Sequence, residues 1–382
     1  MHIAVDYTPA ALQGGGIGRY TRELIKALVT LLAPDERVTL LYPRERGPFE
    51  PASPWPPAVT WRRLPLPDRW QTILWHRLRL PLAVDWLTGP FDLFHAPNFL
   101  LPPVRHGKTV LTIHDLAFLI HPEYAYPALQ RFLAAAVPRA LARADHILAD
   151  SEATRQDAIR LFGLSPERIS VIGAGVEPRF RPLDRQTLRP VAVRYGLDAF
   201  PFALTVGTLE PRKNTDGLIR AFATARRAAG FPHHLVIAGG KGWLYEKIFA
   251  EAARQQAETF VHFLGFVPDA DLPALYNLAD LFVYPSHYEG FGLPVLEAMA
   301  CGTPVLCTDT SSLPEIAGHA AWLVPTGDDE ALTAALIHLL TEPERRRELG
   351  RRGPPHAARW TWDQAAQRLL AVYRSLLSST PI

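Results

Sequence analysis

The chain has 382 residues, of which 48% are hydrophobic and 20% charged, with a formal net charge of +2. That length suits about two domains, and the composition is that of an ordinary globular protein with material for two cores. So small a net charge gives no case for a nucleic-acid partner, and no apolar run reaches the roughly 18 residues that a membrane span needs.

Met1 to Tyr7 reads as a first strand with no charged segment before it, so no signal peptide is expected and the cytoplasm is the expected compartment. Gln13-Gly14-Gly15-Gly16-Ile17-Gly18 follows, then a helix from Arg19 to Leu32 with Tyr20, Leu24, Ala27, Leu28 and Leu31 on one face. A glycine-rich loop opening a helix is a ready anion site, and equally a flexible turn. The dinucleotide fingerprint G-x-G-x-x-G fails here. Glycines at 14 and 16 would require a third at position 19, which is Arg, so an NAD-type dehydrogenase or epimerase loses its main support.

Residues 43–58 are rich in Pro and polar groups and read as loop. Trp61 to Leu87 sets Trp61, Trp70, Trp75 and Trp86 among Arg62, Arg63, Arg69, Arg77 and Arg79. The favoured reading is a helix that packs its Trp and Leu side inward; the competing one is a surface that touches the membrane headgroups. Two short strands follow, Phe91–His95 and Thr109–Asp115. The second ends in His114-Asp115 at the C-terminal edge, where open parallel sheets place their ligands, although a lone His there is more often structural. His146–Ser151 repeats the design, with Ser151 placed to cap the helix from Glu152. Ile169–Ile172 is a strand, and Gly173 to Arg189 reads as a Pro- and Arg-rich linker.

A second series begins with the strand Phe202–Gly207, followed by Thr208-Leu209-Glu210-Pro211-Arg212-Lys213-Asn214 and a helix from Thr215. Adjacent cations before a helix N-terminus oppose the macrodipole, and an anion between them and the backbone amides removes the conflict. His234–Gly240 and Val261–Pro268 supply further strands. The segment Tyr284 to Cys307, YPSHYEGFGLPVLEAMACGTPVLC, is then a strand end, a loop, a helix from Leu293 to Ala300 with Pro294 in its first turn, and a strand. Glu289 and Glu297 punctuate it; either alone is more often a capping or surface acid. Cys301 and Cys307 are too few for a disulfide scaffold and are expected buried and reduced. A strand at 320–324, a helix at 329–340 and a helix at 361–377, with Trp362, Ala366, Leu369, Leu370 and Tyr373 on one side, complete the chain.

Two α/β series separated by a Pro-rich linker predict two Rossmann-like domains, 1–190 and 191–359. The Tyr284–Cys307 segment, the Arg212-Lys213 loop and His114 coincide in order and spacing. Together they resemble the retaining glycosyltransferases of family 4, also called glycosyltransferase group 1, with a mannosyltransferase-like flavour. The resemblance runs through the chain and is densest from Gly207 to Pro304.

It implies the GT-B fold, with two α/β domains facing a central cleft and the last helix (360–382) packing back on the first. It implies that Glu289 touches the donor sugar and Glu297 the nucleotide ribose. Arg212 and Lys213 then grip the diphosphate, and His114 lies near the sugar's anomeric carbon. The Gly16 loop approaches the diphosphate and the acceptor, and Phe266 and Val267 hold the base. Gly207, Phe291, Gly292 and Leu293 complete the donor site.

The implied reaction passes a hexose from a nucleotide diphosphate sugar to a saccharide or lipid-linked acceptor. GDP-mannose is the first candidate donor, before UDP-glucose and UDP-N-acetylglucosamine. The alternative is a catalytically silent sugar-nucleotide-binding subunit. No divalent metal is expected, because Arg212 and Lys213 offer the positive charge and no D-x-D triplet is recognised at a strand end near the nucleotide.

Overall fold

A computed structural model describes residues 1–45 and 55–378. Most of the loop expected at 43–58, and the last residues of the expected 360–382 helix, lie outside the described residues. The chain divides into two compact units. One comprises Met1–Ile120, Pro127–Gly175 and Trp362–Ile382; the other comprises His121–Tyr126 and Val176–Thr361.

The first unit holds β1 (His2–Asp6), β2 (Arg37–Tyr42), β3 (Val59–Arg63), β4 (Leu93–Ala96), β5 (Lys108–Ile113), β6 (His146–Ala149) and β7 (Ile169–Val171). Among the described residues these form one sheet in the order β3-β2-β1-β4-β5-β6-β7, with every pairing parallel. The central strands are apolar runs such as Ile3-Ala4-Val5 and Ile147-Leu148-Ala149, fully buried, as a sheet covered on both faces requires. The strand order reverses between β1 and β4.

The helix Gly16–Val29 buries Tyr20, Leu24, Ile25 and Leu28, and it packs against the terminal helix Trp362–Ser378, which buries Trp362, Leu369, Leu370 and Tyr373. The terminal helix is also tied down by polar contacts within this unit. Tyr373 Oη pairs with His95 Nδ1 at 2.6 Å, while His95 Nε2 pairs with Thr112 Oγ1 at 2.8 Å. Arg374 grips both oxygens of Glu36 at 2.9 and 3.0 Å. Ser151 caps the helix Glu152–Phe162 as expected, accepting from Thr154 N at 3.1 Å.

Residues 61–87 do not form the inward-packed helix expected of them. A short helical stretch, Asp68–Gln71, runs into a π-helical turn, Thr72–Arg77, and extended chain leads to the short helix Val84–Thr88. Pro81 breaks the run, and Arg79 takes a left-handed φ of 56°. Trp75 donates to Leu82 O at 2.8 Å. Trp70, Leu78, Leu80, Leu82 and Trp86 are exposed, with Arg69, Arg77 and Arg79 exposed among them.

The stretch expected as a linker also differs, because Arg185–Tyr195 is a helix of the second unit. Asp184 caps it by accepting from Thr187 N at 2.9 Å, and Gly196 ends it in the left-handed conformation. Those two caps, with buried Leu188, Val191 and Ala192, outweigh the backbone hydrogen bond that Pro190 removes.

The second unit holds β8 (Phe202–Val206), β9 (His234–Ala238), β10 (Val261–Gly265), β11 (Leu281–Tyr284), β12 (Val305–Thr308) and β13 (Ala321–Val324). Among the described residues their order is β10-β9-β8-β11-β12-β13, again with every pairing parallel. It repeats the doubly wound order of the first sheet, with reversal between β8 and β11. Leu218, Phe222, Leu235, Ile237, Leu281, Val283, Leu306 and Leu336 belong to its core. Cys301 and Cys307 are buried free thiols, as expected.

The Tyr373–His95 pair supplies a stability test. Tyr373→Phe leaves a ring nitrogen of a fully buried histidine without its partner, which costs about 1–3 kcal/mol. Urea unfolding should register that loss, and an unchanged midpoint would show that the pair is not worth its burial.

Candidate active site

In open α/β sheets a crevice forms beyond the C-terminal ends of the strands where the order reverses. In the second unit this point lies between β8 and β11, and the loops after these two strands carry Gly207, Arg212, Lys213, Glu289, Phe291 and Gly292. After β8 the chain passes Gly207 and a single 3₁₀ turn, Pro211–Lys213, before the helix Thr215–Ala229. Asn214 joins turn to helix with φ of 52°. After β11 it passes Glu289 and enters the helix Leu293–Ala300.

Glycine is required at two places here. A Cβ added at Gly239, after β9, would lie 1.8 Å from Gly207 O, so only glycine lets these two loops touch. Gly292 has φ of 112° and begins the helix in a conformation that other residues resist.

The two loops meet in one charge cluster. Arg212 Nη1 donates to Glu289 Oε2 at 2.8 Å, and Lys213 Nζ donates to Glu289 Oε1 at 2.6 Å. Arg212 also donates to Tyr288 O at 2.8 Å and to Glu210 Oε1 at 2.6 Å. Lys213 Nζ reaches Tyr284 Oη at 2.6 Å and lies 4.9 Å from the Tyr284 ring centroid. The backbone joins in, since His287 N donates to Arg212 O at 2.8 Å.

From the far side, Ser311 Oγ accepts from Glu289 N at 2.8 Å, and Ser312 Oγ lies 3.0 and 2.7 Å from Glu289 O and Phe291 O, which share its one hydroxyl proton. Glu289 is 5% exposed. Burial alone would raise its pKa, but Arg212 and Lys213 outweigh that and hold it down to about 2. Burial pulls the Lys213 ammonium the other way, below its ordinary value, with Glu289 opposing.

Glu297 is 2% exposed on the buried helix Leu293–Ala300, and Tyr276 Oη donates to its Oε2 at 2.9 Å. Phe291 and Gly292 follow directly from the Glu289 loop, and Leu293 opens the helix. Phe266 and Val267 follow β10; the Val267 side chain is buried and that of Phe266 is 69% exposed. Gly16 and His114 belong to the first unit, at the start of the helix Gly16–Val29 and at the end of β5.

Sequence reasoning missed Glu210, Tyr284 and Ser312, which complete the cluster. Their signal was proximity: Glu210 stands two residues before Arg212, and Tyr284 opens the segment that carries Glu289. It also passed over a D-x-D triplet, Asp269-Ala270-Asp271, just after β10. Those carboxylates are engaged, since Asp271 accepts from Arg194 Nη1 at 2.7 Å and from Tyr195 Oη at 2.8 Å, and Asp269 lies 3.9 Å from Arg179. Among the described residues no group of three or more His, Cys, Asp or Glu is placed to hold a metal ion.

Two doubly wound parallel sheets, one carrying paired cations and acids at its switch point, define a GT-B glycosyltransferase fold. The comparisons agree. Residues 196–355 match the model for glycosyl transferases group 1, and residues 14–180 match that for glycosyltransferase family 4. The chain is 34% identical over 303 residues to the O-antigen chain mannosyltransferase B of Escherichia coli, covering 79% of each. It is 32% identical to a D-inositol 3-phosphate glycosyltransferase of Segniliparus rotundus, covering 76% of this chain and 65% of that enzyme.

The fold is similar to that of sucrose-phosphate synthase from Thermosynechococcus elongatus, with a TM-score of 0.79 at 21% identity over the whole of both chains. It is similar also to a glycosyltransferase of lipopolysaccharide biosynthesis, with a TM-score of 0.74 at 19% identity over 98% of this chain and 99% of that one. The chain belongs to the family 4, group 1 glycosyltransferases and is a glycosyltransferase of glycan biosynthesis.

The cluster predicts an acid response. The folded pKa of Glu289 is depressed, so its stabilisation is complete above the ordinary 4.5 and is lost as pH falls toward about 2. Glu289→Ala removes the carboxylate that both cations share, leaving Arg212 on Glu210 and buried Lys213 on the Tyr284 hydroxyl, and should cost about 3–5 kcal/mol at neutral pH. The variant should also lose part of the wild type's drop in stability between pH 4.5 and 2.5; denaturant melts at several pH values would show an unaltered slope if the cluster contributed nothing.

Proposed function

We propose that the protein is a retaining hexosyltransferase that uses a nucleotide diphosphate sugar, with GDP-mannose as the first candidate donor. The observation that carries this reading is Glu289 bridging Arg212 and Lys213 at the switch point of the second sheet. The mannosyltransferase named above, at 34% identity, supports mannose among the hexoses.

In this reading Arg212 and Lys213 turn to the donor diphosphate, Arg gripping two oxygens and Lys adding a point charge. Glu289, released from them, accepts from hydroxyls of the sugar, and Glu297 accepts from the ribose. Departure of the diphosphate builds negative charge that the two cations meet without reorganisation, and such stabilisation is often the largest catalytic contribution. The leaving phosphate takes the proton of the incoming hydroxyl on the same face, so configuration is retained without a covalent intermediate. His114 lies near the anomeric carbon, the Gly16 loop meets the diphosphate and the acceptor, and Phe266 and Val267 hold the base. The reaction runs without a divalent metal.

A specific observation favours a peripheral membrane contact as well. Exposed Trp70, Trp86, Leu78, Leu80 and Leu82 alternate with exposed Arg69, Arg77 and Arg79, a composition suited to the headgroup region and a lipid-linked acceptor. Flotation with vesicles of anionic phospholipid should carry the wild type upward and leave Trp70→Ser/Trp86→Ser behind; equal flotation of both would remove the proposal.

Three kinetic results test the main reading. Transfer from GDP-mannose by metal-stripped protein should persist in EDTA, whereas activity that returns only with Mg²⁺ or Mn²⁺ would defeat the cation-pair mechanism. Glu289→Ala should cut turnover more than GDP affinity, and Glu297→Ala should mainly weaken GDP, by roughly 10- to 150-fold for one charged hydrogen bond. Equal loss of GDP binding in both variants would show the roles to be misassigned. A silent binding subunit would bind the donor and release no nucleotide diphosphate.

A further inference from the structure

His114 ends β5 with both ring nitrogens engaged. Nε2 lies 2.8 Å from Pro97 O, just past β4, and Nδ1 lies 2.7 Å from Asp150 Oδ2, just past β6. A carbonyl oxygen only accepts, so Nε2 carries a hydrogen. The Nδ1–Oδ2 contact then holds one proton, on one atom or the other, and neither ring nitrogen keeps a lone pair for a third partner.

The ring is also fixed by packing, with Tyr20 and Phe99 set edge-on at centroid distances of 5.2 and 5.7 Å. Its backbone is held too, because Thr154 Oγ1 donates to His114 O at 3.3 Å. Asp150 stands next to the helix cap Ser151, so a strand end and a helix start fix its place. Both Asp150 and His114 are 5% exposed, and the buried Tyr20 hydroxyl stands beside the Asp150 carboxyl and interacts with it.

We propose that Asp150 is a positioning residue for sugar transfer: with Pro97 it takes both nitrogens of His114, so that the histidine serves by its fixed place and is not a proton acceptor. The inference rests on the assignment of His114 to the donor sugar. Removing the shared proton would set a buried carboxylate against the Nδ1 lone pair with no solvent to relieve it. Tyr20 from the helix Gly16–Val29, His95 from β4, Asp115 next in the chain and Tyr373 from the terminal helix are the other titratable groups around this pair. Burial would lower the proton affinity of His114, but Asp150, the Pro97 carbonyl and Asp115 together raise it above the ordinary value.

The test has a spectroscopic and a kinetic arm. In ¹⁵N-labelled wild type, long-range ¹H–¹⁵N spectra should show His114 Nε2 protonated, with no titration between pH 6 and 8.5. A His114 titration with the ordinary midpoint of about 6.5 overturns the proposal whatever the variants do. In the kinetic arm, GDP release from GDP-mannose is followed. Asp150→Ala should lose on the order of 100-fold in kcat through misplacement, with its Kd for GDP unchanged within about twofold. It should also gain a pH dependence below the ordinary 6.5, because the freed imidazole keeps its burial and loses the carboxylate that offset it.

Asp150→Asn can donate to Nδ1 of a neutral ring and should lose less than about fivefold. Loss in Asp150→Asn as deep as in Asp150→Ala, or a kcat and pH profile of Asp150→Ala equal to wild type, overturns the proposal. Failure of the donor reading would appear differently, as absent GDP binding in the wild type.

Discussion

The second unit is organised around one carboxylate shared by two cations. Glu289 is buried, which would ordinarily drive it to the neutral form, and Arg212 and Lys213 reverse that preference. Buried ion pairs rarely repay their desolvation, so their presence is a poor argument for stability and a better one for use. Glu210 faces Arg212 and Tyr284 faces Lys213, so the cations are held by several partners before any donor arrives. In the proposed reading, a diphosphate that displaces Glu289 meets cations already gathered in one place and desolvated, which is how preorganisation lowers a barrier.

Topology puts these groups together. Arg212 and Glu289 are 77 residues apart, yet β8 and β11 are hydrogen-bonded neighbours and both run parallel, so their C-terminal loops leave the sheet side by side. The adjacent helix starts, at Thr215 and Leu293, point in one direction because each follows a parallel strand. In the first unit the same logic gathers Pro97, His114 and Asp150 from the ends of β4, β5 and β6, which are consecutive in that sheet.

Local patterns made much of this legible. Apolar strands broken by Gly and Pro marked the α/β alternation, and the cations of Arg212-Lys213 before a helix start marked an unbalanced charge, which the Glu289 carboxylate meets in the structure. Ser151 was readable as a cap because capping is a contact of three residues' reach. What escaped depends on tertiary contact. Tyr284 looked like a strand residue, and only the folded sheet brings its hydroxyl to Lys213. Asp150 looked like the tail of a strand until β5 placed His114 beside it. The helix Arg185–Tyr195 was hidden by Pro190, whose local cost is overcome by Asp184 at one end and Gly196 at the other. Between Trp61 and Leu87 the reverse happened. Aromatic and leucine content suggested an inward face, but Pro81 and the left-handed Arg79 break the run and leave Trp70 and Trp86 at the surface.

The most direct measurement of the central claim is a calorimetric comparison of GDP with GMP, with UDP and UMP run in parallel, on wild type and Lys213→Ala. If the Glu289 cluster exists to receive a diphosphate, the wild type should bind the diphosphate at least about tenfold more tightly, and Lys213→Ala should erase most of that preference. An equal preference in wild type and variant would contradict the account, because the charge that reads the second phosphate would then lie elsewhere.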